Sequence, residues 1–472
     1  MNTLTGRIEQ DAAMLDGVLH PDENFDLMKR SFLIADRAAA IYFIDVFMKS
    51  VAVDKILTAL MGLTPKDLRA APDPVMFAER HLPHTEVSCE PDGDRAVLAI
   101  LSGVLTLVID GYDRAFLLDL RQYPGRAISE PEDDRVLRGA HDGFCENVKV
   151  NVALMRRRIR DPRFRAEPVR IGWKSQTDVA LCFLDGVADP AIVDRVRDKL
   201  RSVRIPSLSM GQESLSECLN TRQKWNPFPK IRTTERPDRA AASVLEGKVL
   251  VLTDNTPVAM VLPTAIFDFL QDTNEYYFPP FIGTFLRLIR FLIFMTTLLL
   301  IPIWFLLARD PATAPEWLLF LHTTDSSVLP LLWQILIAEL IIDGLKIASL
   351  NTPSSLSNAF GIVGALILGE FAVNTHLFVP EVLLYMSFVS VATFVQPSFQ
   401  LGYTFKLFRL AFILLIELFG GWGLLGGVIA MLLMLAATRT PTGTSYLYPL
   451  IPFHAQALWR LIFRRSIHPE NA

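Results

Sequence analysis

The feature that most narrows what this chain can become is Phe291–Ala308, a run of eighteen residues without a charge, preceded by Arg287 and Arg290. A helix rising about 1.5 Å per residue needs roughly 20 apolar residues to cross about 30 Å of hydrocarbon. The run therefore predicts a membrane helix, and others follow it. Val328–Ile347 is apolar except for Glu339, Asp343 and Lys346, while Ile347–Gly369 and Val382–Phe405 are uncharged throughout. Leu410–Thr438 is too long for one crossing, and Gly420-Gly421-Trp422-Gly423 within it predicts a tight hairpin or a re-entrant turn. Five or six membrane segments result.

Charge divides the chain at the same place. Residues 281–472 hold ten Lys/Arg and nine Asp/Glu, against 36 and 41 in residues 1–280. The front piece reads as water-soluble and mildly acidic, the back piece as membrane. Met1 to Met14 is polar, with no basic-then-apolar run, so the front piece is expected to stay in the cytosol. Cys89, Cys145, Cys182 and Cys218 all lie in it without a CxxC pair, which predicts reduced thiols and no metal.

Periodicity predicts a helical stretch over 25–65, then strands at Ala96–Leu101, Val104–Ile109 and Ala115–Leu120 arranged as a meander. Ser129–Arg135 reads as a charged linker. A helix over Asn147–Ile159, strands Val169–Trp173 and Val179–Phe183, a helix over Pro190–Val203, and a hairpin of Lys248–Thr253 with Pro257–Leu262 complete the front piece. The fold class expected is a cytosolic N-terminal domain of two small mixed α/β subdomains followed by an α-helical polytopic membrane domain. The boundaries are a polar tail 1–24, subdomains 25–128 and 135–275, a membrane domain 281–440 and a cytosolic tail 441–472. Most of the basic residues beyond 280 fall on one side if the passes alternate. That places both termini in the cytosol, with a substantial external loop at Arg309–Ser327, and favours six passes over five.

Motifs for catalysis are missing from the sequence. Gly421-x-Gly423-x-x-Gly426 spells a dinucleotide fingerprint but sits in an apolar helix without a preceding strand, so close helix packing explains it better. No phosphate loop, nucleophile elbow or HExxH helix occurs, and no enzyme activity or cofactor is expected. The densest basic run comprises Arg156, Arg157, Arg158 and Arg160. An acidic domain without a stacking platform beside the run argues against nucleic acid. A solvated helix end, a subunit contact or anionic lipid remain as readings.

Charges inside the apolar runs carry more information. Glu339, Asp343 and Lys346 share one helical face by their i, i+4, i+7 spacing. A charge in hydrocarbon needs a partner or water. Either the acids pair locally with Lys346, or they line a cation path when subunits assemble. Glu370 and Glu417 are further acidic candidates. Ser357, Gly361 and Gly364 form a small-residue stripe that permits close helix approach or faces a narrow pore.

Two stretches resemble a known family. They are Asp142-Gly143-Phe144-Cys145-Glu146-Asn147 with Asn151, Leu154 and Arg156-Arg157-Arg158-Ile159, and Thr234-Glu235-Arg236-Pro237-Asp238 with the following Leu245-Glu246-Gly247 and Asp254-x-x-Pro257. This pattern is similar to the A subunits of spore germination receptors of the GerA type, over about residues 30–465. Gly283–Phe291, Phe378–Tyr385 and the tail from Pro449 to Arg465 look most like the stage V sporulation protein AF branch. His141 and Cys145 depart from the usual pattern without touching a chemical group.

The resemblance implies a spore inner-membrane protein with a two-part cytosolic N-domain. It would be a homo-oligomer, working with other germination membrane proteins and membrane lipid, that conducts ions and takes part in ion and dipicolinate release. A secondary transporter and a non-conducting scaffold are the alternatives. The first lacks visible repeats among the apolar segments, and the second leaves Glu339 and Asp343 unexplained.

Overall fold

The computed structural model describes residues 3–48, 50–121, 139–220, 225–309, 327–351 and 375–463. The chain divides into two compact units. The first comprises Met1–Arg222, Ile231–Thr264 and Thr440–Thr444, the second Gln223–Lys230, Ala265–Arg439 and Ser445–Ala472.

The first unit holds two five-stranded antiparallel sheets. One has strands β1 (Leu27–Ile34), β2 (Arg37–Ile44), β3 (Val87–Glu90), β4 (Leu105–Ile109) and β5 (Ala115–Leu118) in the order β1-β2-β4-β5-β3. Its helices are α1 (Ile8–Leu19), α2 (Ser50–Met61), α3 (Pro65–Ala70), α4 (Pro74–His81) and α5 (Gly93–Leu101). Strand β2 shows how both faces are used. Ala39 and Ile41 pack with α2 and α4, while Ala40, Tyr42 and Ile44 pack with α1 and α5.

That double burial corrects the helical reading of 25–65. A strand covered on both faces is apolar at every position, so its hydrophobic spacing fits a helix as well as a strand. Within the stretch, Ser50–Met61 is α-helix and Asp45–Phe47 a single 3-10 turn. The strand expected at Ala96–Leu101 is likewise helix. Asp92 caps it by accepting from the Asp94 amide, and Ala96, Val97, Ile100 and Leu101 make one buried stripe. Within the expected polar tail 1–24, α1 buries Leu15 and Leu19 in the first subdomain's core.

The second sheet has strands β6 (Phe164–Ile171), β7 (Thr177–Leu184), β8 (Arg232–Thr234), β9 (Val249–Thr253) and β10 (Ala259–Leu262) in the order β6-β7-β9-β10-β8. Helices α6 (Val148–Arg158) and α9 (Pro237–Leu245) cover one face; α7 (Pro190–Ser202) and α8 (Gln212–Leu219) cover the other. Cys182 is fully enclosed, and burial pushes its thiol well above the usual range. Iodoacetamide at pH 8 is therefore expected to alkylate Cys145 and Cys218 in native protein long before Cys182. Equal rates for the three would contradict this packing.

Both sheets follow one plan, each with its strands in the local order 1-2-4-5-3. The match extends to single hydrogen bonds. The Ile8 amide donates to Asp110 at 3.1 Å, and the Val148 amide to Asp254 at 3.0 Å. Leu4 N–H to the Pro91 carbonyl has its counterpart in Phe144 N–H to Glu235, and Gly111 N–H to Gly6 in Asn255 N–H to Glu146. Buried Asp11, Leu15 and Leu19 on α1 correspond to Asn151, Met155 and Ile159 on α6. The first unit is a tandem structural repeat.

Arg156 joins the halves. Its Nε and Nη2 donate to Asp26 at 3.1 and 3.2 Å, and Nη1 donates to the Phe164 carbonyl at 2.9 Å. Both side chains are buried. Beside them the Ala166 amide donates to Asn24 Oδ1 at 2.8 Å, which covers part of edge strand β6.

The second unit is helical. Helix α10 (Pro280–Arg309) is the one helix among the described residues long and apolar enough by itself to cross a membrane. The others are α11 (Leu331–Asn351), α12 (Pro380–Thr393), α13 (Phe399–Phe419), α14 (Gly421–Ala437) and α15 (Ala455–Ile462). The apolar run Val382–Phe405 is thus two helices, broken at 394–398 around Pro397. Gly420, at φ +60°, makes the turn between α13 and α14. A Cβ on Gly423 would press into the Leu415 carbonyl, and one on Gly427 would meet the Phe412 ring at 2.8 Å. Gly423 of the fingerprint-like motif and its neighbour Gly427 therefore serve close helix packing, while Gly426 faces open space. The linker Ser129–Arg135, residues 310–326, and 352–374 of the Ile347–Gly369 run and beyond lie outside the described residues.

Candidate functional site

Four charged side chains meet inside the helical unit, two from α11 and two from α13. On α11, Glu339 and Asp343 are one turn apart; on α13, Lys406 and Arg409 are three residues apart. Each spacing keeps its pair on one helical face. Arg409 donates from Nε to Glu339 Oε1 at 3.0 Å and also contacts it through Nη2. Lys406 Nζ lies 2.9 Å from Glu339 Oε2 and also pairs with Asp343. Glu339 and Arg409 are buried, Lys406 nearly so, and Asp343 is a third exposed.

Helix α10 supplies the third wall. Arg409 Nη1 donates to the Thr297 carbonyl at 2.8 Å, and Gln396 Nε2 donates to Thr297 Oγ1 at 3.0 Å. Thr297 lies one residue before Leu298, the carbonyl that Pro302 leaves without its helical donor. The cluster thus ties α10, α11 and α13 together with two acids and two bases, a balanced set. Burying such charges is tolerable only when each has close partners.

The pairing differs from the local one weighed for this face. Lys346 donates to Thr393 Oγ1 at 3.0 Å and sits over the Phe394 ring at 5.6 Å, while Glu339 and Asp343 take their cations from α13. Three residues on one face of α11 thus meet two different neighbours. Glu417 pairs with Arg309 at 3.7 Å. Ser357, Gly361, Gly364 and Glu370 lie outside the described residues.

The basic run is also divided. Arg156 faces inward and is unavailable as an outer subunit contact, because it is spent on Asp26. Arg158 holds Asp142 through Nη2 at 2.6 and 2.7 Å, and Arg157 and Arg160 are the exposed pair. In the second motif, buried Arg236 binds Asp238 and the Ala140 carbonyl, fixing the loop before α6 to the start of α9. Lys406 and Arg409 are the residues that reading the sequence for a site passed over. Two bases three apart between the runs Val382–Phe405 and Leu410–Thr438, and two acids four apart within Val328–Ile347, were the available signal.

The family profile described as Bacillus/Clostridium GerA spore germination protein matches residues 15–471. The chain belongs to this GerA family. Among its relatives, stage V sporulation protein AF of Bacillus subtilis (strain 168) is 35% identical over 95% of this chain and 92% of its own length. Spore germination protein KA of the same organism is 28% identical over 82% of this chain and 71% of its own. Among solved structures, the N-terminal domain of the A subunit of the Bacillus megaterium spore germinant receptor GerK3 matches 55% of this chain and 96% of that one, at 25% identity and a TM-score of 0.43. Membership of the GerA family gives the chain a role related to spore germination.

Proposed function

We propose that the chain is a subunit of a homo-oligomeric, ion-conducting complex of the spore inner membrane that takes part in ion and dipicolinate release during germination. The observation that carries this reading is the balanced cluster of Glu339, Asp343, Lys406 and Arg409 inside apolar helices. Such a set is costly to build in a simple anchor. It acts as a latch: with each acid paired to a base, neither carboxylate is free to draw cations, and the path is closed. Conduction follows when the pairs separate and expose Glu339 and Asp343. Glu370, Ser357, Gly361 and Gly364 belong to the same proposed path, and exposed Arg157 and Arg160 to a proposed contact between subunits. Both termini face the cytosol in this reading, partners are other germination membrane proteins, and no cofactor or catalysis enters it.

The complete charge balance also favours a second reading, in which the cluster is a permanent staple and the protein a scaffold. Balanced neutralisation separates the two. Glu339→Gln with Arg409→Gln, and Asp343→Asn with Lys406→Gln, remove charge without leaving an orphan. Triggered cation leak per assembled complex in reconstituted vesicles is expected to fall at least about fivefold, because the carboxylates that draw cations are gone, the effect of roughly 1 kcal/mol of coupling. Unchanged leak through intact complexes would make the cluster a staple. Absence of flux from the unaltered protein under every trigger would favour the scaffold.

A further inference from the structure

A second feature lies near the first turns of α10, independent of the ion path. Between α10 and α15 opens a slot of about 370 Å³ whose walls include Leu270, Phe291, Leu450, Leu458 and Ile462, with Arg287 among them. The volume is at the small end for a ligand site. The walls are almost wholly hydrocarbon, which suits a chain of methylenes better than a polar metabolite.

Arg287 is the exception, and it is only 8% exposed. Its Nε donates to Glu275 at 2.8 Å and its Nη1 to the Leu461 carbonyl at 2.6 Å. Its Nη2 is buried and has no hydrogen-bond partner among the described residues. Leaving such a donor unmatched is costly, and a guanidinium fork suits a phosphate oxygen. Glu275 is shared with Arg290.

The surroundings are those of a membrane boundary. Phe281, Phe285, Leu288 and Leu292 are exposed at three- and four-residue spacing along α10, an apolar stripe that the described residues leave uncovered. Helix α15 turns Leu458, Leu461 and Ile462 to the slot, while Trp459 and Arg460 are exposed. An apolar face with Trp and Arg at its edge is the pattern of a helix lying in the headgroup layer.

We propose that this slot binds one anionic phospholipid, an acyl chain between α10 and α15 and the headgroup phosphate on Arg287 Nη2. The occupant is a lipid of the surrounding bilayer, because the slot sits beside the apolar stripe of the membrane helix and offers a chain-shaped wall with a single phosphate donor.

The test uses the full chain in nanodiscs of equal phosphatidylglycerol and phosphatidylcholine, with a photoactivatable acyl chain on one lipid at a time. Crosslinks are mapped to peptides by mass spectrometry. Phosphatidylglycerol is expected to label the segments around Leu450 and Leu458 about fivefold more than phosphatidylcholine, the preference that about 1 kcal/mol from one arginine gives. Arg287→Gln should bring the two lipids to parity while labelling persists. Leu458→Trp, which fills the slot and leaves the Arg287–Glu275 pair untouched, should abolish labelling there without changing the elution volume. Equal labelling by both lipids in the unaltered protein would overturn the proposal. So would labelling at the slot only after deletion of residues 464–472, since the chain's own end would then be the occupant.

Discussion

Arg409→Leu is expected to cost about 3–5 kcal/mol of stability, enough to remove most folded protein, because it leaves Glu339 buried with a share of one cation in place of two. Lys406 would then have to serve both Glu339 and Asp343, and a net negative charge would remain among apolar helices. Glu339→Leu combined with Arg409→Leu removes the imbalance and leaves Lys406 with Asp343. This double variant is expected to recover most of the loss, since apolar replacement of a whole buried pair is often neutral or better. Thermal unfolding followed by size-exclusion chromatography in detergent reads both. A single variant as stable as the parent, or a double variant no better than the single, would show that the pair is not closed in the folded protein.

The second large effect is expected in the first unit. Arg156→Met should also cost about 3–5 kcal/mol, because Asp26 is fully buried and forms its ion pair with Arg156. The loss should appear as parting of the two halves, with faster proteolysis between Leu19 and Leu27 than within either sheet. Asp26→Leu with Arg156→Met should restore most of the stability. Arg160→Met, an exposed change on the same basic run, should stay within about 0.5 kcal/mol of the parent. Equal effects at 156 and 160 would mean that the run acts only through its total charge.

How far the sequence could be read depended on how many neighbours a residue answers to. Helix α7 was legible because one face of it is buried and the other wet, with Val193, Val196 and Leu200 in register. Strand β2 was not, because burial on both faces erased its alternation. Glu339 and Asp343 were visible as a pair on one face, since spacing along a helix is a local property. Their partners were not, because Lys406 and Arg409 lie about seventy residues away and meet them only through packing. The repeat was hidden for a related reason. Its shared positions are capping and turn residues such as Asp110 and Asp254, while the paired central strands β2 and β7, and β4 and β9, have kept their burial and not their side chains.

That repeat sets a problem for the chain while it is folding. Two halves with one strand order offer each strand two sheets to join, and exchange of equivalent segments is a common failure of tandem domains. The Arg156–Asp26 pair is a safeguard against such exchange. It is formed between unlike positions of the two halves, so a swapped arrangement leaves both charges unmatched in a dry interior. A bond that contributes little net stability can in this way still decide which of two nearly equivalent assemblies the chain reaches.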